Sequence, residues 1–469
     1  MIRRDIAQLE HRFGTHWRWL AVATVMLGTM STVLSATIIN VALPHIMTDF
    51  GVGQGQAHWL ATGFLAAVTA TMLASGWLLD HWGVRRTLAA AMLVFCAASV
   101  LGALAPDLPT LIIARIVQGV CAGLLQPLGM YMVFRIFPRE ERGRALGVYG
   151  VGIILAPALG PVLGGFVVDQ LDWRFVLLAP APVTLLGLAM SLRYLPDADP
   201  DQPRYRFDAA GLILLSLFLM TALDALNRLQ HGFDHLLTVG LETAAAAGLF
   251  CAFLYQQGHS RTPMLNIEML REPVFRQACW GALILGISLY GSTYLIPLFV
   301  QTALGYSATE AGLLLLPAGI VMGICFPIAG RMADRFPGRP LIMSGLIIFA
   351  LAGTMFALSE LEAGFLALAC YTVLGRIGLS LLMPALSTTA LNPLPNHLLG
   401  QGSSTISFAR QFGGAMGVNL LAILIEQGPT DAQGHPALGA YHAAWWLIVI
   451  GALAALAPAW KLGRRPAGR

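Results

Sequence analysis

The chain has 469 residues, 57% of them hydrophobic and only 11% charged, against about 25% charged in an ordinary soluble domain. That excludes a water-soluble globule. The 50 glycines and 26 prolines are scattered through apolar runs rather than gathered in polar tracts, which excludes a disordered chain and points to packed membrane helices.

A hydrocarbon core about 30 Å thick takes roughly 20 helical residues, and fourteen apolar stretches of that length can be marked, bounded by charges or turn residues. The first, 19–41, follows Arg3, Arg4, Arg12 and Arg18; it is long and lacks a clear small-residue cleavage site, so it reads as a retained span. It leads into TIINVALP from Thr37 to Pro44, with Asn40 inside and Ser35 two residues before Thr37. The second, 57–79, runs into a loop reading GWLLDHWGVRR, from Gly76 through Asp80 and Gly83 to Arg85 and Arg86. After the third, 87–105, the fourth, 108–134, carries RIVQGVCAG with Arg115, Gln118, Gly119 and Gly123, and Gln126 continues a polar stripe at helical spacing. The fifth, 145–168, reads GIILAPALGPVLGG, with Gly152, Pro157, Gly160, Pro161, Gly164 and Gly165; Trp173, Arg174 and Phe175 precede the sixth, 175–192.

The seventh and eighth, 209–227 and 236–256, contain Asp224 (after Leu223) and Glu242. The ninth, 277–301, holds Tyr290 and Tyr294, and the tenth, 311–330, runs into GRMADRFPGR from Gly330 through Asp334 to Arg339. The eleventh, 340–358, is followed by the twelfth, 363–389, with Arg376, Met383 and Pro384. The thirteenth, 401–425, has RQFGGAMG from Arg410 to Gly417, and the fourteenth is 440–460. Most connections are too short for a folded domain, and the reading is one all-α, polytopic membrane body.

With a cytoplasmic amino terminus, the Lys and Arg residues fall in the cytoplasmic segments except for Arg115, Arg174, Arg228, Arg376 and Arg410. An even number of spans with both termini cytoplasmic satisfies the positive-inside rule. The net charge of +4 therefore reflects topology, and no nucleic-acid partner is expected. In both loop motifs a Gly precedes the Asp by four residues and an Arg follows it by five. Such a pair indicates an internal repeat: two pseudo-symmetric six-helix bundles, 1–206 and 258–469, flanking two inserted spans in 207–257. The glycine admits close helix approach, and the Asp can cap the next helix or pair with an Arg as a cytoplasmic gate. The gate residues are Gly76, Asp80, Gly83, Arg85, Arg86, Asp334 and Arg339.

These segments together resemble the major facilitator superfamily, in its 14-span branch of drug:proton antiporters. Gly76–Arg86 looks like the signature between spans 2 and 3, RIVQGVCAG like the second motif, and the fifth span like the motif associated with antiporters. The resemblance covers essentially the whole chain. It implies proton-coupled efflux of hydrophobic drugs or similar small molecules by alternating access, in the inner (cytoplasmic) membrane of the cell. It also implies that Arg115 takes part in proton transfer by modulating a nearby carboxylate. One position departs from the pattern: the branch usually has an Asp where this chain has Ser35, and a serine carries no proton at physiological pH. Either the coupling carboxylate lies elsewhere or the coupling differs.

An unpaired guanidinium inside a span costs roughly 3 kcal/mol or more, so something polar must face Arg115. The other charged residues within spans, Asp224, Glu242, Arg376 and Arg410, complete the candidates for coupling. Asn40, Gln118, Gln126, Tyr290, Tyr294 and Met383 are candidates for a substrate cavity between spans 1, 4, 9 and 12. The glycines and prolines of span 5 suit a hinge that favours exchange. The six cysteines lie in spans with no CxxC pair and read as small packing residues; no cofactor, metal or enzymatic cluster is expected. The expected partners are a small hydrophobic substrate, protons and the bilayer, with a periplasmic adaptor protein as a further possibility although 426–439 offers little docking surface. The alternatives are a dedicated metabolite exporter or importer on the same fold, and a membrane enzyme or receptor.

Overall fold

Peptide groups in an apolar medium find no water, so a spanning segment must satisfy them within itself, and a helix does this. The computed structural model describes residues 6–57, 59–198, 206–230, 236–360, 363–430 and 437–462, except for the side chains of residues 54, 55, 154, 158, 161, 308 and 309. Arg3, Arg4, Arg204, Arg464, Arg465, Arg469 and the Pro161 side chain thus lie outside the described residues. Among the described residues the regular elements are helices, with no β-strand.

The principal helices are α1 (Trp17–Phe50), α2 (Trp59–Met72), α3 (Ala74–Ala103), α4 (Leu108–Ile136), α5 (Arg142–Gln170), α6 (Ala181–Tyr194) and α7 (Ala209–Gln230). They continue as α8 (Leu236–His259), α9 (Pro273–Leu298), α10 (Ala308–Arg335), α11 (Gly338–Ala357), α12 (Phe365–Leu391), α13 (Leu399–Glu426) and α14 (Leu438–Ala454). Thirteen helical stretches among the described residues are long and apolar enough to cross a membrane; α2 is a shorter apolar helix.

The loop expected after residue 79 is instead helical. Gly76 and Asp80 lie in the first leg of α3, and the break narrows to Gly83, at φ 72° and ψ 170°. Only one charge interrupts the apolar run from 74 to 80, so continuing the helix keeps each peptide group bonded. At Gly83 the positive φ excludes most residues, and an added Cβ would lie 2.6 Å from the Ala198 backbone. Gly330 and Asp334 likewise sit in the last turns of α10 rather than in a loop.

Ends are closed by local chemistry. Asp107 accepts a hydrogen bond from the Thr110 N–H at 2.8 Å at the start of α4. Ser307 and Glu310 form a reciprocal capping box on α10, which satisfies amide donors the helix itself cannot.

The chain divides into two compact units. Unit 1 comprises residues 1–216, 255–266 and 394–405; unit 2 comprises 217–254, 267–393 and 406–469. Within unit 1, the buried residues Gly152, Ala156, Gly160 and Gly164 recur every fourth position along α5. Cβ atoms added at Gly152, Gly160 and Gly164 would strike Met26, Thr37 and Ile38 of α1. Gly119 and Gly123 bring α4 against the Phe64 and Val68 carbonyls of α2 in the same way. Small residues four apart let helix backbones close to contact, and the van der Waals packing this allows is one of the forces that hold helices together in lipid. Within unit 2, Gly413 and Gly417 of α13 meet Leu283 and Ile287 of α9, while Gly286 meets the Arg410 carbonyl. The RQFGGAMG segment is thus a packing face.

Candidate functional site

Arg115 projects from the second turn of α4 and is fully buried. Its Nη1 donates to Ser35 Oγ at 2.9 Å and to Gln118 Oε1 at 2.7 Å, and its Nε donates to the Leu60 carbonyl at 3.2 Å. The guanidinium carbon lies 4.3 Å from the Phe64 ring centroid. Gln118 Nε2 then donates to Ser99 Oγ at 2.9 Å, and Ser99 donates to the Phe95 carbonyl. The node draws on α1, α2, α3 and α4, and every acceptor in it is neutral. Ser35, the position that departs from the family pattern, touches Arg115 directly. Arg115 Nη2 has no acceptor. Sequence reasoning required a polar neighbour and supplied Gln118, but missed Ser99, the Leu60 carbonyl and Phe64, because other helices bring them in.

In unit 2 Arg376 is 8% exposed. It donates to Ser292 Oγ at 3.4 Å and Thr293 Oγ1 at 3.1 Å on α9. Arg410 is also buried, beside Gln411, which accepts from the Tyr290 hydroxyl at 3.0 Å. Tyr294 and Met383 are half-buried, and Asn40 of unit 1 is exposed. Gln126 is half-buried, its carbonyl accepting from Tyr149. The structure therefore joins Arg115 with Gln118, while Asn40 and Gln126 stand outside that node.

Asp224 and Glu242 share one cation. Arg228 Nε lies 3.0 Å from Asp224 Oδ2 and 3.1 Å from Glu242 Oε1. Arg228 follows Asp224 by one helical turn, a spacing readable from sequence. Glu242 Oε2 is buried without a donor.

The gate motif is packed and partly paired. Arg85 makes two bonds to Asp197, at 3.0 and 3.1 Å; Arg86 is exposed. A Cβ at Gly76 would meet the Gln401 backbone at 3.3 Å, and Ser75 Oγ lies 2.7 Å from Ser404 Oγ. Asp80 lines a small cavity with Trp77, Asp208, Met264 and Gln401. Asp208 was not anticipated. It is buried, accepting from the Gly211 N–H, Gln256 and Gln257 at 2.9, 2.8 and 2.6 Å. In unit 2 the Arg339 guanidinium stacks on Trp460 at 3.6 Å, and Asp334 is half-buried. Gly165 of the antiporter-like helix has no atom within 4 Å of an added Cβ, unlike its neighbours Gly160 and Gly164, and Pro157 is half-buried.

Several known proteins are similar to this chain in sequence or in fold. The chain is 31% identical over 450 residues to the uncharacterized MFS-type transporter YcnB of Bacillus subtilis (strain 168), covering 93% of each chain. It is 29% identical over 407 residues to the Multidrug resistance protein B homolog of Mycobacterium tuberculosis, covering 85% of this chain and 75% of that relative. The solved structure of the proton:xylose symporter XylE superimposes with a TM-score of 0.69 at 15% identity, covering 96% of both chains. Residues 25–418 match the Major Facilitator Superfamily, and the chain belongs to that family of membrane transporters.

Proposed function

We propose that this protein exports lipophilic small molecules across the cytoplasmic membrane in exchange for protons, by alternating access. The supporting observation is the small-residue face of α5 packed on α1, in the segment that resembles the antiporter motif. Relatives named for multidrug resistance favour the same cargo class. A largely apolar interior with few fixed hydrogen-bonding groups suits lipophilic compounds better than sugars, whose hydroxyls need many partners.

The topology proposed with it has fourteen spans and both termini cytoplasmic, α2 and the first leg of α3 forming the second span. Two six-helix halves, 1–206 and 258–469, flank the inserted pair in 207–257. Ser35 leaves Arg115 without a carboxylate, so the proton is carried elsewhere. Glu242 becomes the first carboxylate to substitute, because its Oε2 is buried without a donor, with Asp224 second.

The test is ethidium efflux from cells expressing the chain, with and without a protonophore. Efflux that collapses with the protonophore is expected; no efflux, or efflux indifferent to it, contradicts the proposal. Loss of coupling in Glu242→Gln proteoliposomes, with Asp224→Asn retaining it, is the expected order of effects.

A further inference from the structure

Unit 2 holds a partly open cavity lined by Arg376, Ser292, Phe349, Phe356, Tyr371 and Trp445, among others. Its volume is ≈ 10 Å³, about that needed for one water-sized guest. None of the lining residues is Asp or Glu. Arg376 remains charged in any protein environment, yet its two hydrogen bonds are to neutral hydroxyls and long, at 3.1 and 3.4 Å.

A second donor on this wall is unused. Trp445 is 1% exposed, stacked on Phe356 with ring centroids 4.4 Å apart, and its indole N–H has no acceptor. A buried N–H without a partner forfeits the hydrogen bond it would make with water, and a buried guanidinium without a counter-charge forfeits more. Both residues line the same cavity, and one guest there that accepts hydrogen bonds and carries negative charge could answer both. Arg115 differs in having three acceptors, two of them at 2.9 and 2.7 Å, and an aromatic ring centroid 4.3 Å from its guanidinium carbon.

We propose that the Arg376–Trp445 cavity of unit 2 binds a small monovalent anion, a halide or the carboxylate group of an organic acid. The aromatic walls lower the local dielectric and strengthen the charge-assisted bond. The absence of any lining carboxylate, beside the Arg376 charge, disfavours cations. The proposal does not rest on the identity of the exported molecule or of the proton carrier.

The experiment is equilibrium binding of chloride-36 and of carbon-14 acetate to the purified full-length protein in nanodiscs. Saturable binding of at least one label is expected. Binding of chloride alone identifies an inorganic-anion site, and acetate displaced by chloride identifies a site that also accepts carboxylates. Arg376→Gln and Trp445→Phe are each expected to weaken binding by about tenfold or more, while Trp446→Phe, at an exposed neighbouring position, leaves it intact. If Arg376→Gln does not purify as a monodisperse protein, Trp445→Phe, which keeps the ring and removes only the N–H, decides. Failure of both labels to bind saturably, or binding that survives Trp445→Phe and any monodisperse Arg376 variant unchanged, overturns the proposal.

Discussion

At Arg115 the guanidinium is held by oxygen atoms that carry no formal charge. Neutral acceptors take up Nη1 and Nε but leave Nη2 without a partner and do not offset the loss of hydration, so the residue is a net cost to the fold. Arg115→Met, of similar volume, is therefore expected to leave the thermal midpoint unchanged or higher, while efflux falls by about tenfold or more; a collapse in stability would make the residue a structural post. Ser35→Asp places a carboxylate in the position that now accepts the 2.9 Å bond from Arg115, and efflux should acquire a pH dependence that the native chain lacks at this position. Asp107 makes a pH prediction for stability. Hydrogen bonds from the Thr110 side chain and then its backbone N–H hold the Asp107 carboxyl below the usual carboxylate range. A depressed folded value means that the contribution is present above the unfolded value of about 3.9 and is lost as pH falls through the folded one. The difference in thermal midpoint between the native chain and Asp107→Ala should therefore shrink on acidification. At this scale, sequence revealed that Arg115 needs a polar neighbour, because burial of an arginine in a span is visible in one helix. It could not reveal Ser99 or the Leu60 carbonyl, since those depend on which helices meet.

Along α5, glycines that look alike in sequence differ in what faces them. A Cβ at Gly160 would collide with Thr37 of α1, whereas one at Gly165 meets no atom within 4 Å. Gly160→Leu should abolish efflux while membrane insertion persists, read by surface labelling alongside transport. Gly165→Ala should retain efflux and stabilise the helix by up to about 1 kcal/mol, the propensity difference between the two residues; a loss of efflux there would assign Gly165 a role beyond packing. The four-residue spacing of the glycines was legible in the sequence, but α1 as the partner was not, because a small-residue stripe carries no information about which neighbour it meets. The segment from Gly76 to Arg86 reads as a loop when turn residues and charges are counted. It folds as helix up to Gly83, since in an apolar setting the need to bond each peptide group outweighs the weak local preference for a turn.

For the whole molecule, length and hydropathy were enough to establish a polytopic helical membrane protein, and the Gly76–Arg86 segment together with the motifs of spans 1, 4 and 5 carried the resemblance to the family that residues 25–418 match. Side-chain partners across elements were not accessible in this way. Ser75 and Ser404 are an example: 329 positions apart, their hydroxyls lie 2.7 Å from one another. If transport requires this contact to open, oxidation of the Ser75→Cys, Ser404→Cys pair in a chain with its native cysteines replaced will stop efflux, and a reductant will restore it. Efficient cross-linking with efflux undisturbed would show that the contact is static. The carboxylate-free surroundings of Arg115 and Arg376 have an electrical consequence. Each is a fixed positive charge inside the apolar body, and the membrane voltage acts on any such charge by about 2.3 kcal/mol per 100 mV for a full crossing. A rearrangement that shifts one guanidinium by a tenth of the membrane's electrical thickness is thus biased by about 0.2 kcal/mol per 100 mV. The conformational equilibrium of the empty carrier should accordingly respond to voltage, and a bound anion beside Arg376 should reduce that response.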